Sequence, residues 1–220
     1  MSTEKKNTKF ITLAQLKGGV GKSTLAVHIA GFLANNGHTV ALLDSDSPQY
    51  TSTNWYNIGP EKTNIDLGQV STAEELIAAV NHYEGKVDFV VTDLAPRLEE
   101  ITKVGLAISD FAVVPVNMDL VEIWALDIMR GLLVKAAEDV PHFNYRVLAN
   151  KFKTNDPDHQ ERYELIKSEF GLELFETKIG QRKAVRQMLE QGKTVFESKN
   201  SIAKNEFMSL INEIKTILEI

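Results

Sequence analysis

Cysteine is absent from the 220-residue sequence, which excludes disulfide bonds, thiolate metal sites and iron–sulfur clusters held by cysteine. Apolar runs long enough to span a membrane are also missing. The first nine residues, Met1 to Lys9, are polar, and no cleavable apolar segment follows them. These absences predict a soluble, cytoplasmic protein with a flexible tail over residues 1–9.

Positive charge is in deficit overall, because the 24 Lys and Arg residues are outnumbered by 30 Asp and Glu, which gives a net charge of −6. A protein with this balance can contact nucleic acid only through a local basic patch. Aromatic residues make up only 8% of the chain, but hydrophobic residues make up 43%. This content suffices for one compact domain over residues 1–220 with a large core and no covalent staples.

A glycine-rich segment stands between an apolar run, Phe10–Ala14, and a helical pattern that begins near Lys22. A strand, a glycine turn and a helix in this order form a phosphate cradle, because glycine lets successive backbone N–H groups point inward. The lysine that ends such a turn reaches the β- and γ-phosphates, and the next hydroxyl holds Mg²⁺. The predicted nucleotide-binding residues are therefore Gly18, Gly19, Val20, Gly21, Lys22, Ser23 and Thr24.

This segment departs from the usual G-x-x-x-x-G-K-[ST] pattern, because Leu16 stands at the first glycine position and Lys17 follows it. The resulting K-G-G-x-G-K-[ST] pattern resembles the deviant Walker A motif of the ParA/MinD family of ATPases. The resemblance implies that ATP is bound, that hydrolysis is slow, and that ATP joins two chains into a homodimer. It also implies that Lys17 of each subunit acts catalytically by reaching the phosphates bound by the other subunit.

Strand-like and helical segments alternate along the chain. Apolar runs typical of buried strands occupy residues 10–14, 39–43, 87–92, 111–116 and 146–149. Helical patterns occupy residues 22–36, 71–82, 99–108, 122–138, 156–170 and 204–220, with shorter ones beginning near residues 53 and 181. Ser71 and Glu74 have the spacing of a capping box. The alternation predicts a single α/β domain of the P-loop NTPase type, with a doubly wound, mostly parallel sheet and helices on both faces.

Carboxylates stand at the ends of two of these strands, at Asp44 and at Asp93. Ligands gather at the carboxyl ends of the strands in such a sheet. Asp93 ends an apolar run, as a Walker B carboxylate near Mg²⁺ does. We therefore expect Ser23 and Asp93 to hold the metal, and the family resemblance adds Asp44 to this site.

The segment that begins at Asp44 resembles the D-x-D-P-Q segment of the same family, with Ser47 as an additional residue before Pro48 and Gln49. The resemblance implies that Asp46 orients or activates the attacking water and that Asp44 supports the Mg²⁺ shell. An alignment anchored on Pro48 and Gln49 instead puts Ser47 at the second acidic position. Either arrangement must place a carboxylate within hydrogen-bond reach of the water.

Asn150 follows the strand at 146–149, at a place where an asparagine binds adenine in relatives of this family. A guanine-binding N-K-x-D motif would need an aspartate at the position of Lys153. The sequence therefore favours adenine, held by Asn150.

A basic stretch lies in the last third of the chain. Between Lys178 and Lys204, seven basic and two acidic residues give a net charge of +5. Such a cluster is either a solvated helix face or a surface that binds DNA phosphates without reading sequence. The segment Gly192–Ser198 resembles the G-x-x-V-F-E segment of ParF-type plasmid-partition ATPases, which favours DNA. The predicted DNA contacts are Arg182, Lys183, Arg186 and Lys193.

The resemblance implies a switch that positions a cargo, such as a plasmid, a chromosome or a protein assembly of the carboxysome kind. Its ATP-bound homodimer would bind nonspecific DNA on the nucleoid, and a ParB-like or other adaptor protein would stimulate hydrolysis. One alternative is a membrane-cycling division-site regulator of the MinD kind. We expect no membrane binding, because Glu206, Glu213 and Glu219 balance the lysines of the last helix. The other alternative, a metabolic P-loop enzyme, is disfavoured by Lys17.

Overall fold

The computed structural model describes residues 7–124 and 126–220. Within these residues a seven-stranded sheet has the order β3-β2-β4-β1-β5-β6-β7, and every neighbouring pair is parallel. The strands are β1 (Lys9–Leu13), β2 (Val40–Asp44), β3 (Ile65–Gln69), β4 (Phe89–Asp93), β5 (Phe111–Asn117), β6 (Asn144–Phe152) and β7 (Ile179–Gly180).

Helices connect these strands. They are α1 (Lys22–Asn35), α2 (Thr51–Asn57), α3 (Ala73–Tyr83), α4 (Glu99–Ala107), α5 (Leu120–Trp124), α6 (Leu126–Asp139), α7 (Pro157–Glu169), α8 (Lys183–Glu190) and α9 (Ser201–Leu218). A short 3-10 turn at Val195–Glu197 precedes α9. The predicted helix over 122–138 overlaps α5 and α6, which lie on either side of Ala125, a residue outside the described ranges.

The predicted α/β fold of the P-loop NTPase type is confirmed, and the described sheet is entirely parallel. Two of its strands, β3 and β7, were not expected from the sequence. The predicted flexible tail over 1–9 is wrong at its last two residues, because Thr8 is buried and donates to the Val87 carbonyl and Lys9 belongs to β1. Residues 1–6 lie outside the described ranges.

The core consists of two layers, one on each face of the sheet. Successive strand residues point to opposite faces, so Leu13 enters one layer and Ala14 the other. The first layer packs against α1, α8 and α9 and includes Leu25 and Phe207. The second packs against α3, α4, α6 and α7 and includes Leu76. Both faces of the central strands are thus buried, which explains their continuous apolar sequences.

Three helices begin at residues other than those expected. The cap of α3 is Thr72, whose hydroxyl accepts from the Glu75 N–H over 3.2 Å, so the capping box assigned to Ser71 and Glu74 was wrong by one residue. Helix α9 begins at Ser201 because the Asn200 side chain accepts from the Ala203 N–H and caps it there. Helix α8 begins at Lys183, so Arg182 precedes it in an extended conformation.

Two glutamates of α9 hold the chain just before the edge strand β7 and at its last residue. The Glu213 carboxylate accepts from the N–H groups of Glu176 and Thr177, over 2.9 and 2.8 Å. The Glu206 carboxylate accepts from the Gly180 N–H over 3.2 Å. Both side chains therefore serve contacts within the fold rather than a solvated helix face.

The register of the sheet brings the ends of three strands level with one another. Asp93 at the end of β4 pairs with Leu13 on one side and with Asp44 on the other. The loop after β1 therefore opens beside both carboxylates, at the carboxyl edge of the sheet, where ligands bind in folds of this type.

Candidate functional site

The loop between β1 and α1 has the backbone that a phosphate cradle requires. Gly19 and Gly21 have φ angles of +77° and +101°, which side chains other than glycine rarely adopt. A Cβ at Gly21 would also come within 2.4 Å of the Asn150 amide nitrogen. The loop ends at Lys22, where α1 begins with its N–H groups directed toward the cleft.

Lys22 lies beneath this loop, with only 4% of its surface exposed. Its ammonium donates to the Lys17 carbonyl over 3.3 Å. Burial lowers the Lys22 pKa, and the charges of Asp93 and Asp46 act in the opposite direction. The structure thus brings one buried cation together with two predicted acidic residues.

Asp93 is fully buried at the end of β4. Its Oδ2 accepts from the Ser52 hydroxyl over 2.7 Å, and its Oδ1 has no hydrogen-bond partner within residues 7–124 and 126–220. Burial raises the Asp93 pKa to about 7, against the effects of the Ser52 and Ser23 hydroxyls and of Lys22. The Ser23 hydroxyl is thus close to this carboxylate. A buried carboxylate oxygen without a partner, beside a hydroxyl, fits a site for a hydrated Mg²⁺.

The two other acidic residues have different surroundings. Asp44 is fully buried, and its oxygens accept from the N–H groups of Thr53, over 2.8 Å, and of Asp46, over 3.1 Å. Asp46 lies in the cleft, where burial raises its pKa, Lys22 lowers it and Asp44 raises it further. Asp44 therefore fixes the backbone before and within α2, and Asp46 presents its carboxylate to the cleft.

The loop and Asp46 line a cleft of about 440 Å³. The predicted residues Gly18, Gly19, Gly21, Lys22, Ser23 and Thr24 lie along it, together with Gln49, Thr51, Pro96 and Lys151. Val20, also predicted, is buried and does not line this cleft. Ser52 and Lys151 were not identified from the sequence. The position of Lys151 next to Asn150 was the one available signal for it.

Asn150 lies at the other side of the loop, where its amide donates to the Val20 carbonyl over 2.6 Å. It borders a second, more apolar pocket of about 300 Å³. Arg182, Val185, Arg186, Leu189 and Phe207 line this pocket, together with Gly21, Thr24 and Lys151 of the first cleft. The two cavities adjoin, so they can hold the polyphosphate and the nucleoside of one nucleotide.

Residues 11–195 match the family described as the CobQ/CobB/MinD/ParA nucleotide binding domain. The chain belongs to this family. The match covers the last three residues of β1, the glycine loop, all three acidic positions and the segment up to Val195.

Two curated relatives are similar over most of their length. Maintenance of carboxysome distribution protein A of Halothiobacillus neapolitanus is 25% identical over 93% of this chain and 95% of its own. Chromosome-partitioning ATPase Soj of Thermus thermophilus is 28% identical over 84% of this chain and 86% of its own. Among solved structures, the ATP complex of a Cyanothece McdA variant has a TM-score of 0.80 at 17% identity, over 98% of both chains. This last likeness establishes the fold alone.

Lys17, the lysine that is typical of the ParA/MinD loop, is exposed at the rim of the cleft. Its backbone N–H donates to Gln15 Oε1 over 3.4 Å, and its carbonyl accepts from Lys22. Among the described residues, no carboxylate pairs with its ammonium. The Lys17 side chain therefore extends into solvent, and no carboxylate among the described residues holds it.

The four basic residues predicted to contact DNA differ in their surroundings. Arg182 forms a two-pronged ion pair with Glu206, over 2.5 and 3.3 Å, in a half-buried position. Arg186 forms an exposed pair with Glu190 over 3.3 Å, which holds it only weakly. Lys183 is exposed and Lys193 is half-buried. No helix in the described part of the chain has both the length and the apolar character needed to cross a membrane.

Proposed function

We propose that this chain is an ATPase switch whose ATP form is a homodimer that binds nonspecific DNA and positions a cargo. An adaptor protein of the ParB or another kind stimulates hydrolysis and releases the dimer. The observation that carries the proposal is the convergence of Lys22, Asp46 and Asp93 beneath a glycine loop that leaves Lys17 exposed.

The site fits Mg²⁺ and ATP. One solved structure of the same fold is an ATP complex, and another contains an ATP analogue and magnesium. Mg²⁺ neutralises developing charge on the phosphates when it is bound. Ser23 and the open Oδ1 of Asp93 would hold it, and Lys22 would pair with the β- and γ-phosphates. Asn150 would face the adenine from the neighbouring pocket.

Asp46 is the carboxylate best placed to orient water in line with the γ-phosphate. It lines the cleft, and both oxygens of Asp44 are already bonded to backbone N–H groups. The attack of water on the γ-phosphorus breaks its bond to the β-phosphate oxygen and yields ADP and phosphate. Asp44 supports this arrangement by fixing the start of α2.

The dimer would form across the carboxyl edge of the sheet, where Lys17 is exposed. Helix α5 begins just beyond the end of β5 at the same edge, and Val121 and Trp124 of this helix are exposed, as is Ile128 of α6. Exposed apolar surface of this kind is typical of an interface. The second Lys17 would bring additional positive charge to each ATP, so dimerisation would depend on the γ-phosphate.

DNA binding would use Lys183, Arg186 and Lys193, with Arg182 held beside them by Glu206. Two such surfaces in one dimer raise the apparent affinity for DNA without any new contact, because the second one binds at high effective concentration. Nucleoid association in the cytoplasm would follow from this. The curated relatives are named for carboxysome distribution and chromosome partitioning, which supports a cargo of either kind.

The proposal is tested by measuring the molar mass in solution and the ATPase rate of the wild type and of two lysine variants. We expect a dimer with ATP and a monomer with ADP. Lys22→Ala should lose nucleotide binding, and Lys17→Ala should bind ATP but remain monomeric. Lys86→Ala, at the opposite edge of the sheet, is the control and should behave as the wild type. ATP binding by Lys22→Ala, or a monomer with ATP in the wild type, would contradict the proposal.

A further inference from the structure

The end of β6 holds the phosphate loop at two consecutive carbonyl groups. Asn150 donates to the carbonyl of Val20 over 2.6 Å, and the Lys151 ammonium donates to that of Gly19 over 2.7 Å. Asn150 is accounted for by the proposed adenine pocket. Lys151 is the third lysine that contacts the loop or belongs to it, after Lys17 and Lys22. The sequence motifs assign it no role.

Lys151 stands at the border between the two cavities of the site. Only Gly21, Thr24 and Lys151 line both the cleft of about 440 Å³ and the pocket of about 300 Å³. Lys22 and Asp46 line the cleft but not the pocket, and the pocket is the more apolar of the two. A nucleotide that spans both cavities therefore passes Lys151 at the phosphate that joins the nucleoside.

The backbone of Lys151 supports a role for its side chain. Its φ angle is +52°, in the left-handed region that is costly for a lysine and is retained where the surrounding structure requires it. This conformation lies within β6, where the pairing with β7 shifts register between Asn150 and Phe152, and the Lys151 side chain reaches back to the loop. An ammonium has three donors, and the bond to Gly19 uses one of them.

We propose that Lys151 binds the α-phosphate of the nucleotide, an inference that rests on the proposed ATPase function. Its ammonium keeps the Gly19 carbonyl in place and directs a second donor at an oxygen of the phosphate next to the ribose. Lys22 binds the outer phosphates, so the two lysines divide the polyphosphate between them. Because ADP and ATP share the α-phosphate, Lys151 contributes equally to both and does not distinguish the two states of the switch.

The test is equilibrium binding of ADP, ATP and adenosine to the wild type and to Lys151→Met, measured over a salt series. We expect Lys151→Met to lose about tenfold in affinity for both ADP and ATP, as for a lost charge-assisted hydrogen bond, and to bind adenosine as the wild type does. Affinity for ADP should also depend less steeply on salt in Lys151→Met.

Two controls accompany the test. Lys151→Arg should restore most of the affinity, and Lys153→Met, two residues further on and exposed beside Asp156, should have none of these effects. Unchanged ADP affinity in Lys151→Met, or an equal loss for adenosine, would overturn the inference while leaving the ATPase function intact. A wild type that binds neither ADP nor ATP would instead overturn the proposed function, and this inference with it.

Discussion

The indole N–H of Trp55 donates to the backbone carbonyl of Lys193 over 3.0 Å, and so links α2 to the basic stretch of the last third of the chain. The same helix reaches the candidate site at its other end, where Ser52 donates to Asp93 and the Thr53 N–H donates to Asp44. One short helix thus contacts both the buried carboxylates and the segment that carries Lys193.

Two glycines strengthen this link. Gly59 and Gly192 have φ angles of +74° and +64°. The backbone of Gly59 packs against that of Gln191 and Gly192, and the backbone of Gly192 packs against that of Ile58 and Gly59. A Cβ on Gly59 would lie 2.2 Å from the Gln191 carbonyl oxygen, and one on Gly192 would lie 1.9 Å from that of Ile58. Side chains at these positions would separate the two loops.

The first prediction concerns the hydrogen bond of Trp55. Trp55→Phe retains a ring in the core but leaves the Lys193 carbonyl without its partner, so we expect a loss of about 1 kcal/mol in the free energy of unfolding. Amide hydrogen exchange over residues 192–197 should become faster. Chemical denaturation and hydrogen-exchange mass spectrometry measure the two effects. The other tryptophan of the chain provides the control, because Trp124 is 64% exposed and Trp124→Phe should change neither quantity. Equal behaviour of the two variants would contradict the link.

A second prediction concerns His28, which is buried in α1 and accepts from the Val195 N–H at its Nδ1 over 3.3 Å. This bond assigns the hydrogen to Nε2, and burial lowers the His28 pKa to about 3. The unfolded chain takes up this proton near pH 6.5, so stability is lost as the pH falls below that value. Between about pH 7.5 and pH 5, His28 should cost the wild type about 2 kcal/mol.

His28→Leu should lack this loss. The difference in unfolding free energy between the two proteins, measured with urea at both pH values, should therefore shift by about 2 kcal/mol in favour of the variant at the lower pH. Asp93, whose raised pKa makes stability fall as the pH rises toward 7, is present in both proteins and cancels. His82→Leu, at an exposed position of α3, is the control. A difference that does not change with pH would show that His28 is protonated in the fold.

The third prediction separates the roles of the acidic residues. Asp46→Ala should retain ATP binding within a few fold and lose roughly 10²–10⁴ in turnover, because the water loses the group that orients it. The protein should then accumulate as an ATP-bound dimer, visible by light scattering. Asp66→Ala, at the distant strand β3, is the control. Normal turnover in Asp46→Ala would transfer the role to Asp44 or Ser47.

The sequence was sufficient for the glycine loop and the buried strands because those features are local. The seven-residue motif Lys17–Ser23 predicts a strand, a turn and a helix in that order. Unbroken apolar runs predict β4 and β5. Strand β3 was not predicted, because its sequence, Ile65–Gln69, includes Asp66 and Gly68, which are unfavourable in strands. Strand β7 has two residues and depends on α9 to hold it at the edge.

The contacts that the sequence could not predict join residues far apart in the chain. Ser52 meets Asp93 across 41 positions, and Lys151 meets Gly19 across 132. Arg182 illustrates the consequence, because its sequence neighbours suggested a helical basic face and Glu206 instead fixes it against α9. Charge counting along a segment cannot distinguish a solvated arginine from a paired one.

The most direct test of the switch is binding to random-sequence duplex DNA, measured by fluorescence anisotropy with ATP and with ADP across a salt series. The account predicts binding with ATP that weakens steeply with salt, and little binding with ADP. Lys183→Ala should lower the salt slope by about two, one phosphate contact for each subunit of the dimer. Binding that is equal with both nucleotides, or absent with both, would contradict the account of a nucleotide-controlled DNA switch.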